Sequence, residues 1–235
     1  MPMGCYYNWS HYQSNLDNIA LMATVAEQEG AEGLHAYSVW DWAQEPEFAM
    51  LAQCGQQGPK AAQDFLPRYC SERFGSDAEP VQNAIETLRE VASNPALHNT
   101  YYYQYTYIRP DQPYPRPYPQ SALAGLAEAN AYADLEQAVG LCRQARRELA
   151  GASDQTDPVI ANLTAELWRC EALAGCFAWL LTQEGPAEAS RGGQPDSEAI
   201  PGTRKEAREL LLTAMGEIEQ RKPNYMVPSV LRDLS

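Results

Sequence analysis

The residues best suited to chemistry in this sequence form two short aromatic and polar clusters near its amino terminus. Trp40, Asp41 and Trp42 end an apolar, β-prone run over residues 33–42. A tryptophan face can stack on the C–H surface of a sugar ring, and a carboxylate accepts hydrogen bonds from hydroxyl groups. These residue types at the end of a strand predict a carbohydrate pocket. The alternative is that Trp40 is a core residue and Asp41 caps the following helix.

The second cluster, Tyr6, Tyr7 and Asn8, lies near the end of a strand-like segment over residues 3–9. In a barrel of parallel strands the carboxyl ends of neighbouring strands meet at one face, where ligands bind. We therefore expect these three side chains to line the same pocket as residues 40–42. Packing at the rim of the barrel is the alternative.

No catalytic residue can be named from the acids near these clusters. Glycoside hydrolysis uses paired carboxylates, and Asp41, Glu45 and Glu47 are the nearest candidates. Glu45 and Glu47 are better suited to the first turn of the next helix, where the helix dipole favours acids. Signatures of other reactions, such as GxSxG, a P-loop or GxGxxG, are missing from the sequence.

Strand-like and helix-like segments alternate over the first 75 residues. The strands at residues 3–9 and 33–42 are separated by a helical pattern over residues 12–29, an order typical of a parallel α/β sheet. Two strands alone would leave both sheet edges unpaired. We therefore expect residues 1–75 to form the last two βα units of an incomplete TIM (β/α)8 barrel. Its other strands would come from upstream sequence or from a partner.

Beyond residue 75 the pattern becomes helical, so the expected fold class is α/β followed by all-α. Residues 76–235 are expected to form a C-terminal helical bundle domain, interrupted by an extended Tyr/Pro-rich segment at 101–119. Three apolar seams with helical spacing predict the bundle. We expect its acidic residues to lie on solvated helix faces. The seams comprise Leu135, Val139, Cys142, Ala145 and Leu149; Ile160, Leu163, Leu167, Cys170, Ala174, Phe177 and Leu181; and Ala207, Leu211, Ala214 and Ile218.

Composition excludes several classes of protein. The 235 residues carry a formal net charge of −14, which argues against nucleic acid and anionic membranes as partners. No apolar run approaches the ~20 residues that span a bilayer, and we expect no signal peptide.

The six cysteines form no CxxC pair, and the three histidines lack ligand spacing, so no metal or other cofactor is expected. We expect the cysteines to be small buried residues in a reducing compartment, the cytoplasm.

The run over residues 33–42 and the sequence FLPRYCSERFG at residues 65–75 resemble the C-terminal part of a family 20 glycoside hydrolase, a β-N-acetylhexosaminidase-like enzyme. The resemblance implies a pocket-wall tryptophan at Trp40, a hydroxyl-binding acid near Asp41 and a pocket tyrosine at Tyr6 or Tyr7. The family's catalytic Asp–Glu pair lies on an earlier strand that this sequence lacks. The implied function is therefore part of a glycoside hydrolase acting on a terminal N-acetylhexosamine or a related sugar, contributing pocket wall but no catalytic pair.

A non-enzymatic helical protein-interaction module is the alternative function. The Tyr/Pro-rich segment would then be the binding surface, unless it is only a connection held to the bundle by its tyrosine rings. The expected partners are a carbohydrate substrate, the missing barrel half, or further copies of the chain.

Overall fold

The structure, a computed structural model, describes residues 14–35, 44–93, 131–184 and 200–221. Helix accounts for 83% of these residues, and none of them lies in a strand. The helices, in chain order, are α1 (Leu16–Gln28), α2 (Glu45–Gln57), the 3₁₀ helix η1 (Pro59–Ala62), α3 (Phe65–Phe74), the 3₁₀ helix η2 (Gly75–Asp77), α4 (Ala78–Ser93), α5 (Tyr132–Leu149), α6 (Pro158–Glu184) and α7 (Arg204–Arg221).

The prediction of TIM-barrel βα units is wrong. Residues 3–9 and 36–42 lie outside the described part of the chain, and residues 33–35, which begin the second expected strand, form no strand. Instead, α1 and α2 pack directly against each other and against η1. A Cβ atom on Gly58, just after α2, would lie 3.2 Å from Glu27 Oε1, near the end of α1. The C-terminal ends of the two helices therefore lie close together, and within the described residues the helices pack on each other with no strand between them.

Helix α6 lies at the centre of the helices that follow. Nearly all of its residues between Val159 and Leu181 are buried, and α4, α5 and α7 pack against it. Its apolar side chains lie on every face of the helix, as expected for an interior position. The neighbouring helices are amphipathic, and each turns its apolar stripe toward this central helix or toward the next one in the chain.

The three seams that predicted the bundle are confirmed, because all of their residues are buried. Close contacts fix the register of α5 against α6. Val139 lies beside Gly175, Arg143 binds Glu171, and Arg146 lies over Trp168. Residue numbers rise along α5 as they fall along α6, so these two helices are antiparallel.

Side-chain hydrogen bonds cap the starts of α6 and α7. Asp157 Oδ1 accepts a hydrogen bond of 2.9 Å from the Val159 amide at the start of α6. At α7, Thr203 Oγ1 accepts a bond from the Glu206 amide, and the Glu206 carboxylate accepts one from the Thr203 amide, which together form a capping box. Gly75 ends α3 at φ +57, a left-handed conformation that glycine adopts readily at helix C-termini.

The central position of α6 can be tested with Leu167, which is fully buried. We expect Leu167→Ala to lower the free energy of unfolding by about 2–5 kcal/mol, since it leaves a cavity in a close-packed core. Urea denaturation followed by circular dichroism measures this change. Leu212→Ala is the control, because Leu212 is exposed on α7. Equal effects of the two substitutions would contradict the position given to α6.

Candidate functional site

The six residues predicted to bind a sugar lie outside the described part of the chain. These residues are Tyr6, Tyr7, Asn8, Trp40, Asp41 and Trp42. Their place in a sugar pocket stays a prediction. The Tyr/Pro-rich segment at 101–119 also lies outside the described residues.

The described residues that directly follow the two predicted clusters are polar and buried. Asn15 precedes α1, Gln44 precedes α2, and Glu47 lies in the first turn of α2. Glu45 and Glu47 both lie in that first turn, which agrees with the interpretation of these two acids as helix-start residues.

Glu45 links three helices. Its Oε1 atom accepts a hydrogen bond of 2.7 Å from the Tyr69 hydroxyl and one of 3.0 Å from Arg73 Nε. Arg73 Nη2 also lies 2.7 Å from Asp157 Oδ2, so the network reaches the cap of α6. Burial, together with the bond to Glu45, raises the pKa of Tyr69. These contacts give Glu45 a structural role in joining α2 to α3 and α6.

A cluster of buried charges on α6 was not foreseen from the sequence. Glu166 and Arg169 are 3% and 1% exposed and form an ion pair one helical turn apart. Glu171, 1% exposed, accepts hydrogen bonds of 2.8 Å from Arg143 Nε and 3.0 Å from Arg146 Nε on α5. The expectation that the acids of the bundle lie on solvated faces is therefore wrong for Glu166 and Glu171.

Aromatic contact completes this cluster. The guanidinium carbon of Arg146 lies 3.4 Å from the ring centroid of Trp168, which is a cation–π arrangement. The buried charges are matched by opposite charges on the same helix or on its neighbour. Within residues 14–35, 44–93, 131–184 and 200–221, no group of three or more potential ligands is arranged to hold a metal ion. The arrangement is suited to fixing the register of α5 and α6.

The surface of α1 is unusual among the described helices. Leu21, Met22 and Val25 project outward with exposed fractions of 62%, 39% and 46%, opposite the buried Leu16 and Ile19. The remaining large exposed apolar residue in the described ranges, Leu212, lies on α7. The three α1 residues are spaced i, i+1 and i+4, so they form one continuous stripe. We call this stripe the α1 patch.

The charge around the α1 patch is predominantly negative. Residues 1–59 contain no lysine or arginine, and Lys60 is the first cation along the chain. Asp17 is paired with Arg89 from α4 at 2.9 Å. No ion pair joins the exposed carboxylates of Glu27, Glu29 and Glu32 to any cation in the described ranges. The α1 patch therefore lies in an acidic part of the surface.

The five described cysteines are all buried, as predicted, and all are free thiols. In the part of the chain that the structure describes, no helix has the length and apolar character needed to cross a membrane.

No protein-family model, curated protein or solved structure significantly matches this chain. The resemblance to family 20 glycoside hydrolases stays a prediction.

The buried Glu166–Arg169 pair leads to a stability prediction. Arg169→Met leaves the Glu166 carboxylate buried without that partner, so we expect unfolding to require about 3–5 kcal/mol less. The double variant Glu166→Leu with Arg169→Met removes both charges and should recover most of that loss. Guanidinium denaturation of the two variants measures the difference.

The control for this prediction is Lys205→Met, which breaks an exposed ion pair with Glu209 and should leave stability unchanged within error. A double variant as unstable as Arg169→Met would contradict the account, because the cost would then not arise from an uncompensated charge.

Proposed function

We propose that this chain is a non-enzymatic helical protein-interaction module that binds a partner through the α1 patch. The partner surface is apolar and is flanked by lysine or arginine residues. The observation that carries the proposal is the outward stripe formed by Leu21, Met22 and Val25 on an acidic surface.

Both faces of α1 carry apolar side chains. One face packs into the protein through Leu16, Ile19 and Ala23. The opposite face carries large apolar side chains where a surface helix normally carries polar ones. Single exposed apolar residues are common, but a continuous stripe favours an interaction site. Covering it would remove apolar area from water, at a gain of about 25 cal/mol per Å² before the costs of association.

The charge of this surface favours a different protein, and not a second copy of this chain, as the partner of the α1 patch. Two copies meeting through their α1 patches would bring Glu27, Glu29 and Glu32 of each close to the same acids of the other. Like charges across an interface oppose association, whereas opposite charges increase its rate and its specificity. A basic partner therefore fits the surface better, and a homo-oligomer formed through this face is disfavoured.

The sequence-based alternatives remain as separate proposals. A glycoside hydrolase function would need the barrel strands that the described residues lack, so it receives no support from the α1–α2 arrangement. The Tyr/Pro-rich segment at 101–119 remains a candidate second binding surface. A cytoplasmic location is part of our proposal, because five buried free thiols suit a reducing compartment.

The proposed binding can be measured with designed helical peptides. We expect an amphipathic peptide of leucine and lysine to bind the chain, and a leucine–glutamate peptide of the same length and apolar face to bind at least tenfold more weakly. Leu21→Gln with Val25→Gln should weaken binding of the lysine peptide about tenfold, because it removes the centre of the apolar contact. Fluorescence anisotropy at low and moderate salt gives the dissociation constants.

Leu212→Gln serves as the matched control, since it replaces an exposed leucine on α7 and should not change binding. A higher salt concentration should weaken binding of the leucine–lysine peptide, because salt screens its attraction to the acidic surface. Equal binding of both peptides, or binding that survives the α1 double substitution, would rule out the α1 patch as the site.

The carbohydrate prediction has an independent test. The purified chain should not hydrolyse aryl N-acetylglucosaminides, because the resemblance places the catalytic Asp–Glu pair on an earlier strand that this sequence does not contain. Turnover above the uncatalysed rate that disappears in Asp41→Asn would contradict this. Titration calorimetry with N-acetylglucosamine, on the wild type and on Trp40→Ala, then separates a sugar-binding role of Trp40 from a core role. If Trp40 is a core residue, Trp40→Ala should have a lower melting temperature than the wild type, and neither protein should bind the saccharide measurably.

A further inference from the structure

Two cysteines face each other inside the α5–α6 interface. Cys142 belongs to the buried seam of α5, and Cys170 to that of α6. The register set by Arg143 with Glu171 and by Arg146 with Trp168 brings residues 142 and 170 into the same layer of the interface. The two thiols also interact, since each shifts the pKa of the other more than any other group does. The pair is therefore held together by two packed helices.

The surroundings of the pair favour a thiolate on one side. The interaction with the Cys142 thiol, aided by the nearby Arg169 guanidinium, lowers the pKa of Cys170 even though burial opposes this. The same interaction, together with burial, raises the pKa of Cys142. A thiolate is the nucleophilic form of cysteine, so Cys170 is the better attacking group and Cys142 the better resolving thiol.

We propose that Cys142 and Cys170 form a reversible disulfide that joins α5 to α6 when the protein meets a hydroperoxide. In the first step the Cys170 sulfur attacks one peroxide oxygen, the O–O bond breaks, and the leaving hydroxide takes a proton to become water. In the second step the Cys142 sulfur attacks the resulting sulfenic acid. The S–S bond forms, the S–O bond breaks, and a second water leaves. With hydrogen peroxide, two thiols and one peroxide thus give one disulfide and two waters.

The other described cysteines lack this arrangement. Cys176, two turns further along α6, donates to the Ala207 carbonyl at 3.6 Å and contacts α7. Burial raises the pKa of Cys176 and Cys70 to about 12 in each case, which disfavours their thiolates at neutral pH. Because the Cys142–Cys170 pair is itself buried, its oxidation requires transient opening of the α5–α6 interface and is slower than that of an exposed thiol.

The experiment treats the full-length chain with hydrogen peroxide, blocks remaining thiols with N-ethylmaleimide after denaturation, and maps disulfides by tandem mass spectrometry. We expect the dominant linked pair to be Cys142–Cys170, with two fewer maleimide adducts per oxidised chain, both restored by dithiothreitol. Cys142→Ala and Cys170→Ala should each abolish that link. Cys176→Ala, a buried cysteine on the same helix, should keep it.

The disulfide map of the wild-type chain tests the proposal even if one of the variants folds poorly. A set of links distributed without preference over the cysteines would overturn the proposal. So would irreversible oxidation of Cys170 without any link to Cys142. Repeating the reaction in mild urea, which speeds opening, should increase the rate and leave the Cys142–Cys170 link dominant. The proposal would also be overturned if Cys142 and Cys170 both react with maleimide in mild urea but form no disulfide with each other when peroxide is added.

Discussion

The burial of α6 along almost its whole length is the constraint on which the other described helices depend. Because α6 has no solvent face between Val159 and Leu181, its polar residues must find partners inside the protein. This requirement explains why Glu171 binds two arginines of α5 and why Arg169 pairs with Glu166. The same contacts fix the register of α5, and that register brings Cys142 next to Cys170. A packing constraint thus determines where the reactive groups meet.

The opposite situation holds at α1. This helix packs on α2 and η1 through one face, while the α1 patch on its other face meets water. Its acidic surroundings contain no cation before Lys60, although Arg89 and Arg73 reach Asp17 and Glu45 from later helices. The charges in the interior are thus paired with opposite charges, whereas Glu27, Glu29 and Glu32 at this surface form no ion pair within the described residues. That contrast is the physical basis of the proposed interaction function.

The sequence predicts the helical bundle well because an apolar period of 3.6 residues directly reports a buried helix face. The seams of α5, α6 and α7 are therefore correct, as is the burial of the five described cysteines. A short apolar run such as residues 33–42 carries no information about a pairing partner, so the strand and barrel were inferred from context, and that context is helical. The burial of Glu166 and Glu171 does not follow from the sequence, because a charged residue usually indicates exposure and their arginine partners are brought to them only when the helix folds and packs.

Native-state hydrogen exchange of the full-length chain tests the central position of α6 most directly. Amides in the middle of α6, from Leu163 to Leu173, should exchange more slowly than those of the other described helices, because exposing a helix packed against three others requires the rarest openings. Amides of α1 should exchange much faster. If α6 exchanged as fast as α1, or if residues 33–42 were the most protected segment, the account of the fold and of the contacts derived from it would be contradicted.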